Sequence, residues 1–168
     1  MLRGVNVAGH RMIKMGELAG AYSSLGFADV RTYLQSGNVI FSTSMSDESV
    51  LVEKIQGGLK KELGLDASVI IRNPTELGKV VAKNPFQQRK MVYITFLRAK
   101  PDKVPMEKLN SVSGPGEEFR IIDREVFLHV PNGYGRTKLS NAFFEKILNV
   151  PATTRNWNTV TALAEMSG

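Results

Sequence analysis

The sequence predicts an α+β protein made of two consecutive ferredoxin-like halves, each a βαββαβ plait with an antiparallel sheet, followed by a C-terminal helix. Three observations carry this expectation. Strand-length apolar stretches alternate with stretches of helical periodicity. Two hairpin signals, Gln35-Ser36-Gly37-Asn38 and Asp123-Arg124, fall at matching places in that order. A short helical segment at residues 73–85 separates the two series. The expected domains are therefore residues 1–72, a helical connector at 73–85, and residues 86–168 with the final helix.

In the first half, residues 2–7 are short and apolar, and read as a strand running into the loop Ala8-Gly9-His10-Arg11. Met15, Leu18, Tyr22 and Leu25 recur at steps of three and four, and Gly26 follows as the stop of an amphipathic helix. Residues 30–34 and 39–42 are rich in β-formers and enclose the first turn, which makes a hairpin. Asp47 and Glu48 open a second helix, Leu51, Ile55 and Leu59 mark its buried stripe, and Gly64 ends it. Residues 67–72 complete the half as a buried strand.

In the connector, Pro74 suits a first helical position and Asn84-Pro85 stops the helix. Residues 91–97 place Val92, Ile94 and Phe96 on one face and Tyr93, Thr95 and Leu97 on the other, as a central strand would. Residues 102–109 form a weak helix, and residues 118–122 and 126–130 a second hairpin. Ser140 caps the next helix, with Leu139 placed to staple against Phe144. Residues 153–156 supply a last strand, and Asn158 caps a final helix through Leu163. The repeat is one of element order, without residue-level similarity between the halves.

Composition narrows the function classes. With 42% hydrophobic and 23% charged residues the chain matches ordinary globular domains. It has no cysteine, which removes disulfides, thiolate nucleophiles and cysteine metal sites, and points to a reducing, cytoplasmic compartment. No apolar run approaches the roughly 20 residues that span a bilayer, and the N-terminus lacks a signal peptide's apolar stretch, so no membrane association is expected. The net charge of +6 is uneven: residues 1–72 hold 8 Lys and Arg against 7 Asp and Glu, residues 73–168 hold 14 against 9. The basic excess belongs to the second half and suits a polyanionic partner.

Leu2-Arg3-Gly4-Val5-Asn6-Val7, Gln35-Ser36-Gly37-Asn38-Val39 after Arg31-Thr32-Tyr33, and Thr154-Arg155-Asn156-Trp157-Asn158-Thr159 are specific in combination. Together they resemble one family of uncharacterised bacterial proteins, domain of unknown function 1697, along the whole chain. The resemblance implies a bacterial protein of two α/β plaits, in agreement with the element order, and a first strand shorter than in other members. It implies no activity and carries over no catalytic or ligand residue.

Most catalytic constellations are excluded. His10 and His129 are the only histidines, far apart in sequence, and no carboxylate spacing completes a metal site, so neither metal nor cofactor is expected. His129 alternates with strand residues and reads as structural. His10 is the catalytic candidate, in a glycine loop near Arg3, Asn6, Arg11 and Lys14.

The clearest binding candidate is the segment Asn132-Gly133-Tyr134-Gly135-Arg136-Thr137-Lys138-Leu139-Ser140, a glycine turn with two cations that opens into a helix. Free N–H groups at the helix start, its dipole, Arg136 and Lys138 would together hold a phosphate or carboxylate. The order G-x-x-x-x-G-K-[ST] is absent, so nucleotide hydrolysis does not follow. The same pattern also fits a solvated loop. Trp157, the sole tryptophan, stands among Arg155, Asn156 and Asn158, where it either stacks on a planar ligand or anchors the final helix. Tyr33, Phe41, Tyr93, Phe96, Phe119 and Phe127 lie on predicted strands, but the RNP1 pattern of RNA-binding sheets is missing and the rings read as core. Lys83, Arg89, Lys90, Arg98, Lys100 and Lys103 flank the strand at 91–97 as a basic rim or a solvated face.

The leading expectation is a non-catalytic binding protein for a phosphate-bearing partner, a nucleic acid, nucleotide or phosphorylated small molecule. Arg136, Lys138, Arg155 and Arg3 are its candidate anion contacts, Trp157 its stacking surface, and Asn6, Asn38 and Asn156 its polar contacts. The alternatives are an enzyme acting on a small anionic substrate through His10, and an interaction module that assembles through sheet edges as a homodimer.

Overall fold

Asp47 shows how local chemistry sets the elements: its carboxylate accepts from Ser49 N and Val50 N, which starts the long helix that Gly64 ends in the left-handed region at φ 62°. The computed structural model describes residues 1–6 and 12–168. The described residues form a mixed α/β fold with antiparallel sheets and six helices, in two units, Met1–Ile71 and Arg72–Gly168.

The first unit holds α1 (Met15–Ser24), β1 (Ala28–Tyr33), β2 (Asn38–Ser42) and α2 (Glu48–Leu63). β1 and β2 form the expected antiparallel hairpin, with Tyr33 opposite Asn38. Among the described residues, the two outer strands expected at 2–7 and 67–72 are reduced to a single bridge between Leu2 and Val69, residue 7 lying outside them. Gly4 and Asn6 take φ of 67° and 57°, which turns the chain out of the extended region before a ladder can grow. Leu2 N still donates to Gly37 O at 2.9 Å, so the N-terminal segment lies against the hairpin turn. Leu2, Leu18, Tyr22, Leu51, Ile55, Leu59 and Val69 make the core.

In the second unit α3 (Pro74–Lys83) starts with a reciprocal capping box between Asn73 and Glu76. β3 (Val92–Leu97), α4 (Met106–Val112), β4 (Glu118–Ile122), β5 (Glu125–His129), α5 (Asn141–Leu148), β6 (Ala152–Asn156) and α6 (Trp157–Ser167) follow. The helix expected at 102–109 is displaced to α4 because Val104 precedes Pro105 and is held out of the helical region. The four strands form one antiparallel sheet in the order β4-β5-β3-β6. Leu139 and Phe144 are both fully buried in one cluster with Leu97, Val126, Leu128 and Ala152, and Ser140 Oγ accepts from Phe143 N.

Leu109 of α4 and Phe144 and Leu148 of α5 cover one sheet face. The opposite face carries Ile94, Phe96 and Phe127, all at most 1% exposed, and α6 packs on β3 and β6 with α3 against it. A sheet face open to bases is therefore absent from this unit; the strand rings are core, as the missing RNP1 pattern implies.

Side chains close much of the sheet edges. The register makes Leu97–Ala152 a pair whose N–H and C=O of Ala152 point outward. Glu145 Oε1 accepts from Ala152 N at 2.8 Å and Asn141 Nδ2 donates to Ala152 O at 3.0 Å. Arg155 Nη1 donates to Thr154 O on the same edge, and at the other edge Arg120 Nη1 donates to Phe119 O at 2.8 Å. These contacts occupy groups that a pairing strand would need.

Candidate functional site

The segment between β5 and α5 is fastened by Tyr134, a residue whose role the sequence reading missed. A short 3-10 turn, Tyr134–Arg136, follows Gly133 at φ 88°. The Tyr134 hydroxyl donates to Thr154 Oγ1 at 3.1 Å and accepts from Asn141 N at 2.7 Å. Thr154 Oγ1 donates onward to Asn141 Oδ1 at 3.0 Å, so Thr95, 2.8 Å away, is the donor in its bond to Thr154. The Tyr134 ring packs on Tyr93 with centroids 5.0 Å apart. Burial, the largest influence, pushes the Tyr134 phenol up and keeps it a protonated donor at neutral pH. An aromatic inside a glycine turn was the available signal.

These bonds fix where the predicted residues lie. Tyr93 pairs with Asn156, and α6 begins at Trp157 directly afterwards. The loop that carries Arg136 and Lys138 is anchored to Tyr93 and Thr154, so the glycine loop and the Trp157 segment meet at one end of one sheet. Arg136 and Lys138 are exposed and, among the described residues, neither side chain has a hydrogen bond or ion pair. Trp157 is half-buried at the first position of α6.

Four expectations need correction. The start of α5 does not offer a row of free N–H groups, because Asn141 N bonds Tyr134 Oη and Phe143 N bonds Ser140 Oγ. Arg155 is 8% exposed on the face beneath α6 and donates to Thr153 Oγ1 at 2.7 Å as well as to Thr154 O. Burial pulls its guanidinium down to about 10, still protonated at neutral pH, and makes it a strut of β6 rather than a surface cation. Asn38 is fully buried and donates to Tyr33 O and Ser36 Oγ at 2.9 and 3.0 Å, so it braces its own hairpin turn. Asn156, not Asn158, caps α6, accepting from Thr159 N at 2.8 Å.

The remaining candidates lie in the first unit. Arg3 is exposed. Asn6 accepts from Ile13 N at 2.7 Å and donates to Ile13 O at 2.9 Å and Gln35 O at 2.8 Å, which ties both flanks of residues 7–11 to the hairpin turn. His10 lies outside the described residues. His129 is half-buried, with Arg89 Nη1 3.3 Å from its Nδ1 and the Phe86 ring 6.0 Å away. Arg89 also pairs with Glu118, and Lys83 with Asp123 at 3.1 Å, so two members of the predicted basic rim are neutralised. No group of three metal-binding side chains occurs among the described residues. No described helix is long and apolar enough to cross a membrane.

Among curated proteins none matches the chain. A solved structure of the conserved bacterial protein SP0830 from Streptococcus pneumoniae superposes with a TM-score of 0.74 at 21% identity, covering 100% of this chain and 96% of that one. That likeness concerns the fold. The family model ends short of residues 154–159, which the resemblance in sequence had included. Matching residues 1–127, it makes the chain a member of the protein family of unknown function DUF1697.

Proposed function

We propose that the chain is a binding protein for a phosphate-bearing partner, contacted by the second unit. The observation that carries this reading is the pair of exposed, unpartnered cations Arg136 and Lys138 on a loop held by Tyr134. Charge supports it: residues 1–71 hold 7 Lys and Arg against 7 Asp and Glu, whereas residues 72–168 hold 15 against 9, so the whole net charge of +6 belongs to the second unit. Arg155 acts here by positioning β6, and Trp157, half-buried, follows directly at the start of α6. A loop whose backbone is already fastened loses less entropy on meeting an anion than a mobile one. The strand order β4-β5-β3-β6 supports a ferredoxin-like reading of this unit, and the absence of cysteine supports a cytoplasmic one.

Fluorescence anisotropy with labelled nucleic acids at several salt concentrations tests the proposal. Replacing Arg136 and Lys138 together by alanine should weaken binding and lower the salt slope by up to about 2. Unchanged affinity and slope would remove the assignment. The bonds between Asn6 and Ile13, which flank residues 7–11, keep the His10 enzyme as the second reading, which predicts turnover of a small anionic substrate that His10→Ala abolishes.

A further inference from the structure

The charges of the second unit are segregated. Its ion pairs lie around α3 and the turn between β4 and β5, or beside the start of β3: Arg72 with Glu125, Arg124 with Glu76, Lys83 with Asp123 and Arg89 with Glu118. Lys79 and Lys100 also act on Asp123. The layer formed by α4, α5 and the loop leading into α5 is different. Lys108, Arg136, Lys138 and Lys146 are all exposed there, with exposed Lys103 three residues before α4, and none has a side-chain hydrogen bond or ion pair among the described residues. The acids nearby are Asp102 and Glu107, exposed, and Glu117 and Glu145, which accept from Gly114 N and Ala152 N.

Aromatic placement says how such a layer meets a nucleic acid. Every described phenylalanine, tyrosine and tryptophan is buried or half-buried, and both faces of the four-stranded sheet are covered by helices. Single strands are held by stacking their bases on exposed rings, and this layer has no such platform. What it presents is a set of cations, which answers to phosphate density, and a duplex carries one charge per about 1.7 Å of axis.

Resting on the phosphate-partner reading above, we infer that the partner is a nucleic-acid duplex, gripped through its phosphates by the α4–α5 layer without regard to sequence. Lys108 and Lys146, outside the glycine loop, then contribute as Arg136 and Lys138 do. Anisotropy of the full chain with matched-length duplex DNA, duplex RNA and single strands, each in two unrelated sequences, provides the test. Both duplex sequences should bind alike and several-fold tighter than either strand. Lys108→Ala with Lys146→Ala should lower the duplex salt slope by about 2. Equal or tighter binding of single strands, or a slope unmoved by that double variant, overturns the duplex assignment while loss of binding in Arg136→Ala with Lys138→Ala leaves the broader reading standing. No binding to any probe overturns both.

Discussion

Tyr134 and Thr154, twenty residues apart, are joined by a 3.1 Å hydrogen bond that fastens the glycine loop to the outer strand of the sheet. The same hydroxyl accepts a hydrogen bond from Asn141 N at the start of α5. One phenol therefore holds a strand, a loop and a helix start together.

Tyr134→Phe keeps the ring on Tyr93 but leaves the Asn141 amide without its acceptor and removes one of the three hydrogen bonds of the Thr154 hydroxyl, which keeps Thr95 and Asn141 Oδ1. Unmet polar groups in a partly buried site cost about 1–3 kcal/mol. Urea unfolding should show a loss in that range, and hydrogen exchange at Asn141 should accelerate. A variant as stable as the parent, with Asn141 still protected, would deny the phenol its fastening role.

Arg72 and Glu125 form a buried pair at 2.7 Å, with the Arg72 side chain 1% exposed, and Arg72 Nη2 also donates to Leu97 O at 2.7 Å. Burial lowers the Arg72 guanidinium while Glu125 raises it again. Arg72→Ala strands the carboxylate and should cost about 3–5 kcal/mol. Replacing both residues by apolar side chains of similar volume, Arg72→Met with Glu125→Leu, should cost less than Arg72→Ala alone, as denaturant titration of the three variants checks.

Asn156 caps α6 and Asn158 does not. Asn156→Ala should destabilise the second unit by about 1 kcal/mol, with Asn158→Ala close to neutral. Thermal unfolding of both variants decides this, and the reverse order would place the cap where the sequence alone suggested.

Glu76 gives the fold a pH dependence. Burial alone would raise its carboxyl, but the Asn73 N–H and the Arg124 guanidinium, 2.6 Å away, bring it below its ordinary value of 4.5. A lowered folded-state value means stability that is present above the unfolded value and lost as pH falls through the folded one. Unfolding free energy should therefore decline below about pH 4.5. Glu76→Gln should flatten part of that decline, and an unchanged profile would remove Glu76 as a contributor.

Local chemistry by itself determined most of the helices, both hairpins and the joint burial of Leu139 and Phe144, because periodicity, caps and turn residues act within a few positions, although α4 starts later than expected and Asn156 caps α6. It also determined the basic excess of the second half and the exposed pair Arg136 and Lys138. Family membership was legible in Arg3-Gly4-Val5-Asn6 and Gln35-Ser36-Gly37-Asn38. Tertiary structure decided what long-range pairing controls. It reduced the expected outer strands of the first unit to the Leu2–Val69 bridge, since positive φ at Gly4 and Asn6 is a backbone choice that composition does not announce. It buried Arg155 and Asn38 inside their own hydrogen bonds, joined Arg72 to Glu125 across 53 positions, and made Tyr134 a fastener. A side chain's availability to a ligand depends on which neighbours reach it first, and those neighbours are set by strand register and helix packing rather than by spacing along the chain.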